Sequence, residues 1–409
     1  MNGSHLQSVE LDDLGVLRIA GADAARFLQG QLSNDLGRVS TERSALGGLH
    51  NPQGRTIALL RIVQLAPNDL LAVLPRELAA SVAGRLSKYV LRAKVKVSDE
   101  SQSWRVVGLI ACGLAGGAQR PSPEPADPGA PLASAPLEAY PLGTGEQRRL
   151  GESMVVCVGE QPVRWLLIAP AAEPQASDTG ASQAGGALPH SVPVRREVWR
   201  QLDIIAGLPQ VYGATSEEFV AQMLNLDVVG AIAFDKGCYT GQEVIARAHY
   251  RGRVKRRLQR FRSRGPLDLK PGDAGELADG RAFKVAEAVQ LEDGRCEFLA
   301  VAPLPTGDPE LSAGQPDAML ERISAPLGVR PSQAGAAALT RSNVGAPATG
   351  AALHSSMPAD LATTGAFWAP FATSPGAPRK AGASMLPHSS PDPLPNELEQ
   401  LDLPYTLPD

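Results

Sequence analysis

The sequence predicts an α+β protein, on the evidence of its length and of two different apolar periodicities. The chain has 409 residues, of which 43% are hydrophobic, so it can bury the cores of two or three domains. Apolar residues recur every fourth position from Leu78 to Val90, which predicts a helix beginning near Pro75. Residues 94–98 alternate between polar and apolar, as in a half-exposed strand. Strands and helices follow one another without a repeated strand–helix–strand unit, which favours mixed sheets over a parallel one.

Further elements follow from capping residues and from apolar runs. Asp23 is a candidate N-cap for a short helix, and a second helix is predicted from Glu197 to Gly207. Thr215 and Glu218 have the spacing of a capping box, which predicts a third helix from Thr215 onward. Apolar runs bounded by turn residues predict strands at 16–20, 46–49, 56–63, 104–110, 154–158, 164–169, 283–289 and 296–301.

Three stretches rich in Pro, Ala, Gly and Ser interrupt this pattern, at about 115–139, 171–190 and 305–394. They lack the apolar periodicity that would offset the entropy lost on ordering. We therefore expect flexible inserts, the last of them largely disordered.

Composition and charge argue against several classes of protein. The net charge of -4 points neither to nucleic acid nor to an acidic tail. The cysteines are far apart, which gives no conventional zinc site, no self-contained Fe–S ligand set and no disulfide framework. The N-terminus has no apolar signal-peptide core, and no apolar run approaches the roughly 20 residues of a membrane span. We expect a cytoplasmic, monomeric protein.

The densest group of reactive side chains stands at 236–243, with the sequence Lys-Gly-Cys-Tyr-Thr-Gly-Gln-Glu. Its two glycines let the backbone turn sharply around the thiol of Cys238. Lys236 and nearby amides would favour the thiolate, the form that attacks electrophiles or binds metal. The alternative is an ordinary turn with an inert cysteine, which is our interpretation of the other three cysteines, all within apolar strands. Cys238 and Lys236 are therefore the candidate catalytic residues.

This octapeptide resembles the signature of the YgfZ family, the folate-binding relatives of the glycine-cleavage aminomethyltransferase (T-protein). The resemblance extends to segments at 27–35, 199–209, 217–226 and 403–407. It implies an aminomethyltransferase fold with a folate-binding α+β core, a ferredoxin-like α+β second domain and a C-terminal β-barrel. The corresponding domains are residues 1–100 with 192–250, residues 101–191, and residues 251–304 with 395–409.

The resemblance also implies a site and a function. It places Trp199 against the pterin of tetrahydrofolate or another folate, and it puts Leu14 where the family carries a second tryptophan. Other residues of the folate site would be Asn225, Asp35, Tyr239, Gln242 and Glu243. Structural alternatives remain open, namely a core position for Trp199 and capping, loop or salt-bridge roles for the polar residues. The implied function is assembly or repair of Fe–S clusters in client enzymes, including radical enzymes that modify tRNA.

Two other functions stay open on the sequence. A true aminomethyltransferase would carry paired aspartates in the strand after Gly54, where this chain has Ala58 and Leu59, and the missing carboxylates argue against that enzyme. Residues 247–264 contain nine Lys or Arg and no acid, and they suggest a basic strand. That run is either a solvated strand face or a patch for RNA phosphate or the tail of a polyglutamylated folate. The hypothesis of a tRNA-binding module is supported by that basic run alone.

Overall fold

The structure, a computed structural model, describes residues 5–112, 139–171, 190–305 and 398–408. The three predicted inserts lie almost wholly outside these ranges. In chain order the strands are β1 (His5–Glu10), β2 (Leu14–Ala20), β3 (Ala45–His50), β4 (Thr56–Ala66), β5 (Asp69–Pro75), β6 (Lys96–Asp99), β7 (Trp104–Cys112), β8 (Gln147–Leu150), β9 (Ser153–Glu160), β10 (Val163–Pro170), β11 (Ser191–Pro193), β12 (Arg256–Pro266), β13 (Ala274–Glu276), β14 (Ala282–Gln290), β15 (Arg295–Pro303) and β16 (Leu398–Leu401). The helices are α1 (Ala24–Gln29), α2 (Arg76–Ser87), α3 (Arg196–Ile205) and α4 (Gln242–Arg251). Within the described ranges, no helix combines the length and the apolar character that crossing a bilayer requires.

The first sheet is antiparallel and has the order β3-β4-β5-β2-β6. Helix α2 packs on it through Leu78, Val82 and Leu86, which are all buried, so the helix predicted from the four-residue periodicity is confirmed. Strands β2 and β5 pair along their whole length, and this register puts Leu14 opposite Pro75 at one end of the sheet.

The second sheet has the order β11-β1-β7-β10-β9-β8, and only its β1–β11 pair is parallel. The N-terminal strand β1 therefore pairs with β7 in this sheet, although the sequence-based division assigned residues 1–100 to the first domain. One face of the sheet shares a core with the first sheet, where Val106 and Ile168 pack with Val16 and Val73. The two sheets thus lie against each other through buried side chains, and this contact positions the site described below.

The third sheet has the order β13-β14-β15-β12-β16 and is antiparallel. Its core contains the rings of Phe261, Phe283 and Phe298, whose centroids lie between 5.5 and 6.3 Å apart. This curled sheet, with β13 and β16 at its edges, stands where the C-terminal barrel was expected and is consistent with it. Strand β16 pairs with β12, so the chain on both sides of residues 306–397 belongs to one sheet.

The helix predicted from Thr215 is wrong, because the backbone there pairs with β4 instead. Glu217 has a left-handed φ of 62°, which interrupts any helix. The backbone NH of Glu217 donates to the carbonyl of Thr56 at 2.8 Å, and the NH of Thr56 donates to the carbonyl of Phe219 at 2.8 Å. Short 3-10 turns at Gly213–Thr215 and Ala221–Leu224 flank this pairing.

The sequence analysis missed α4, the helix that follows the octapeptide. Residues 247–251 were assigned to a basic strand, whereas the strand β12 begins only at Arg256. Gly241 precedes the helix with a left-handed φ of 83°, and Glu243 occupies its first turn, where an acid interacts well with the helix dipole. The basic run therefore consists of the end of a helix, a connecting segment and a strand.

Candidate functional site

A cleft lies where α3 meets strands from all three sheets. Its cavity has a volume of about 100 Å³. Its apolar wall is large, and its charged and polar residues come from four separate parts of the chain. The lining residues are Leu11, Asp13, Leu14, Leu46, Leu59, Arg61, Val73, Val158, Leu166, Arg196, Trp199, Arg200, Asp203, Leu208, Pro209, Gln210, Tyr212 and Glu287.

Trp199 and Leu14, the two residues that the resemblance implied for a pterin, both line this cleft. The indole is only 5% exposed. It packs against Gly108 of β7, where a Cβ would lie 2.4 Å from the ring, and the guanidinium of Arg164 lies 4.9 Å from its centroid. Since these contacts cover most of the indole, it offers the cleft a limited apolar surface rather than a whole free face.

Two guanidinium groups and one carboxylate lie near Trp199, and of these Arg61 and Asp203 line the cleft whereas Arg164 lies behind them. Arg164 donates from Nη1 to Oδ1 of Asp203 at 2.7 Å, and burial raises the pKa of that carboxyl. Arg61 projects from β4, and burial lowers its pKa to about 10. Within the described residues Arg61 has no ion-pair partner at 4.0 Å or less, although the charge of Asp203 acts on it. This wall therefore carries an excess of positive charge, which favours an anionic ligand group.

A second polar group connects the segment after α3 to β14. Tyr212 donates a hydrogen bond from its hydroxyl to Glu287, which is 3% exposed. Burial is the main cause that raises the pKa of Glu287 to about 7. On the same side, Arg200 donates to Asp13 at 2.9 Å, and its guanidinium lies 5.9 Å from the ring centroid of Tyr212. The cleft thus holds a carboxyl group that can be protonated near neutral pH.

This titration predicts an unusual pH dependence for the variant Glu287→Gln. Because the pKa of Glu287 is raised from the ordinary 4.5 to about 7, there is a pH window between these two values. Within it, folded protein keeps the carboxyl proton and unfolded protein has lost it. Wild-type stability is therefore expected to fall as pH rises through this window, by about 3 kcal/mol at most. The glutamine has no proton to lose, so the stability of Glu287→Gln relative to wild type should increase by that amount between pH 4.5 and 7.5.

Urea unfolding at several pH values measures this difference. The matched control is Glu292→Gln, the same chemical change at a carboxylate that is 87% exposed. The contrary result would be free energies of unfolding of wild type and Glu287→Gln that differ by the same amount at every pH. That result would show that the buried carboxyl keeps its charge throughout.

The octapeptide forms a loop that is fixed at three points. The ammonium of Lys236 donates to the carbonyls of Gln29, Leu32 and Asn34, at 2.6, 2.6 and 2.9 Å. Tyr239 is buried in the core of the first sheet, with its ring centroid 5.1 Å from Nζ of Lys236. The third point is the start of α4, where the backbone at residue 241 approaches the carbonyl of residue 51 so closely that a Cβ would lie 2.5 Å from it.

These contacts give Lys236 a role that the sequence analysis did not foresee. An ammonium has three donors, and carbonyl groups take all of them, so none remains for the thiol of Cys238. Burial lowers the pKa of Lys236 to about 8. Cys238 itself is exposed, and it is not among the residues that line the cleft. The loop therefore presents its thiol to solvent from a rigid base.

The remaining residues predicted for the folate site also lie away from the cleft. Asp35 accepts hydrogen bonds from Gly37 and Gln29, and its pKa is lowered, mainly by the bond from Gly37. Asn225 is buried with a left-handed φ of 55°, and it donates to the carbonyl of Leu258 at 3.0 Å. The others are Tyr239, which lies in the core, and Gln242 and Glu243, which lie in the first turn of α4.

Sequence reasoning missed the charged residues of the cleft, although two of them leave a signal. Arg61 is the only charged residue in the predicted strand 56–63, and Glu287 stands between apolar residues in the predicted strand 283–289, which also contains Lys284. A charge in such a strand is expected to face either a partner or a ligand. Ala58 and Leu59 occupy the positions at which an aminomethyltransferase would carry paired aspartates. Ala58 is fully buried, and Leu59 lies on the cleft wall.

Comparisons with known proteins identify the family. No protein-family model matches the chain. The tRNA-modifying protein YgfZ of Edwardsiella ictaluri is 30% identical over 305 residues, which cover 72% of this chain and 84% of that protein. The protein of the same name from Colwellia psychrerythraea is 28% identical over 302 residues, with the same coverage.

Among solved structures, the glycine cleavage system aminomethyltransferase T from Bartonella henselae shares the fold. Its TM-score is 0.52 with 14% sequence identity, over 73% of this chain and 78% of that one. The implied aminomethyltransferase fold is thereby confirmed. The relative from Edwardsiella ictaluri, 30% identical and covered over 84% of its length, shows that the chain is a member of the YgfZ family.

Proposed function

We propose that this chain binds a reduced folate in the cleft and supports Fe–S enzymes that modify tRNA. The observation that carries the proposal is the composition of the cleft, which combines an apolar wall, buried carboxyl groups and a guanidinium without an ion-pair partner among the described residues. A folate needs all three, since it has a flat pterin with hydrogen-bond donors on its edge and an anionic glutamate tail.

The residues of the cleft divide between these parts of the ligand. Trp199 and Leu14 would contact the ring system, and the carboxyl groups of Asp203 and Glu287 would accept from its amino and ring NH groups. Arg61 would bind the glutamate carboxylates, for which a guanidinium provides paired donors. A reduced folate bound there supplies a carrier of one-carbon units.

Cys238 would perform the second part of the function. It is the exposed cysteine of the four, whereas burial raises the pKa of Cys157 and Cys296 to about 11. One thiolate provides a single ligand of the four that an Fe–S cluster takes. The proposed role of Cys238 is therefore to act on a client protein. It would do so either as one ligand of the client's cluster or by thiol–disulfide exchange with the client.

A direct test of the folate site is calorimetric titration of the purified full-length chain with tetrahydrofolate. Arg61→Met removes the guanidinium but keeps an unbranched apolar side chain, and we expect it to weaken binding at least about 10-fold, the effect of losing one charge-assisted hydrogen bond. Wild-type binding should also quench tryptophan fluorescence, and Trp199→Phe should remove that part of the quenching.

The control for Arg61→Met is Arg92→Met, which removes an exposed charge that lies outside the cleft. Thermal unfolding of each variant checks that the fold is retained. No heat of binding with wild type, or equal affinity of wild type and Arg61→Met, would contradict the folate proposal.

A further inference from the structure

Eight of the nine basic residues at 247–264 fall into two groups with different surroundings, and the ninth, Arg264, is exposed near the end of β12. Three of them, all in β12, are neutralised by buried acids. Arg257 pairs with Asp227 at 2.8 Å, and Arg260 and Arg262 both pair with Glu297, which has no exposed side-chain surface. This part of the run stabilises the third sheet and is not available to a partner.

Five other cations lie on the surface without such partners. They are exposed, and none forms an ion pair at 4.0 Å or less with a described acid. The nearest acids in sequence are Glu243, one helical turn before the first cation, and Asp235, which pairs with Arg38 at 3.2 Å. These cations, with Tyr250, form what we call the α4 surface: Arg247, Tyr250, Arg251, Arg253, Lys255 and Arg256.

The α4 surface also carries an aromatic group. His249 stacks on Phe234 with a centroid distance of 3.7 Å, and the ring of Tyr250 stands edge-on to both. Tyr250 is 68% exposed. Because its neighbours hold the ring in place, an exposed phenol of this kind can accept a stacked planar group at little further loss of entropy.

Helix electrostatics explains only part of this arrangement. Cations in the last turn of a helix interact well with its dipole, which accounts for Arg251 but not for Arg247, which lies one turn earlier. It does not account for Arg253, Lys255 and Arg256, which follow the helix, or for the exposure of Tyr250.

We infer that the α4 surface binds single-stranded RNA, with phosphates on its cations and a base stacked on Tyr250. Four of the five cations are arginines, whose planar donors match phosphate oxygens in pairs. Unpaired RNA bases stack on exposed aromatic rings next to basic residues, so RNA would use both Tyr250 and the cations. An acidic protein would interact with the cations alone. The α4 surface contains none of the cleft residues, so this inference does not depend on folate binding.

The test is fluorescence anisotropy with the full-length chain and a labelled, unstructured RNA of about 12 nucleotides. The triple variant Arg247→Ala/Arg251→Ala/Arg253→Ala should weaken binding about 10-fold or more. It should also reduce the slope of log K against log salt by about 2, since each phosphate contact on a single strand contributes about 0.7. Tyr250→Ala should weaken RNA binding about 5-fold or more, the lower end for one stacked base, and leave the salt slope unchanged.

The matched control removes three exposed cations elsewhere in the chain, as Arg92→Ala/Lys94→Ala/Lys96→Ala. Its affinity for RNA should remain close to wild type. An equal loss in both triple variants would assign binding to net charge and overturn the inference. Wild-type binding to polyglutamate as tight as to RNA, with no effect of Tyr250→Ala, would assign the surface to an acidic protein instead.

Discussion

The variant Cys238→Ser is expected to abolish support of an Fe–S-dependent tRNA modification while leaving the fold and folate affinity unchanged. The side chain of Cys238 is exposed and lies outside the cleft, so a serine hydroxyl can replace the thiol without disturbing a packed neighbour. The loop stays anchored by Lys236 and Tyr239. The measurement is the level of the modification in cells that lack the native YgfZ protein and express each variant.

The control is Cys112→Ser, which removes a half-buried thiol at the end of β7. Iodoacetamide labelling of the folded protein should mark Cys238 rapidly, and Cys157 and Cys296 only after denaturation, because both are buried. Full rescue of the modification by Cys238→Ser would mean that the thiol is not functional and that the loop serves only as a turn.

Local patterns in the sequence predicted much of the fold, and long-range pairing limited the rest. The helix beginning after Pro75 and the principal strands followed from periodicity and turn residues. The helix predicted from Thr215 failed because residues 217–220 pair with the start of β4, about 160 positions earlier, and nothing local records that contact. Tertiary contacts overrode the capping signal.

The site shows the same division. Trp199 and Leu14 were placed together by resemblance, and the structure puts both in one cleft. The role of Lys236 could not be predicted, since its three acceptor carbonyls are more than 200 positions away. Arg61 and Glu287 come from strands of different sheets, and only the assembled fold brings them to the same cleft.

The ion pair between Arg257 and Asp227 predicts the largest effect on stability. Both side chains are at most 6% exposed. Two parallel hydrogen bonds of 2.8 and 3.0 Å join them, and Arg257 also donates to the carbonyl of Gln222 at 3.1 Å. These bonds connect β12 of the third sheet to the chain segment beside the first. Asp227→Ala leaves the guanidinium buried without its charge partner, so the free energy of unfolding should fall by about 3–5 kcal/mol.

A second variant tests whether the uncompensated charge is the cause. Arg257→Met added to Asp227→Ala removes that charge and fills part of the space with apolar atoms, so the double variant should be more stable than Asp227→Ala alone. The exposed pair of Arg295 and Asp293 provides the control, and Asp293→Ala should leave the free energy of unfolding close to that of wild type. Urea unfolding at pH 7 measures all three variants. If the double variant is less stable than Asp227→Ala, the guanidinium itself stabilises β12 through its bond to Gln222, and burial of an unpaired charge is not what destabilises the single variant.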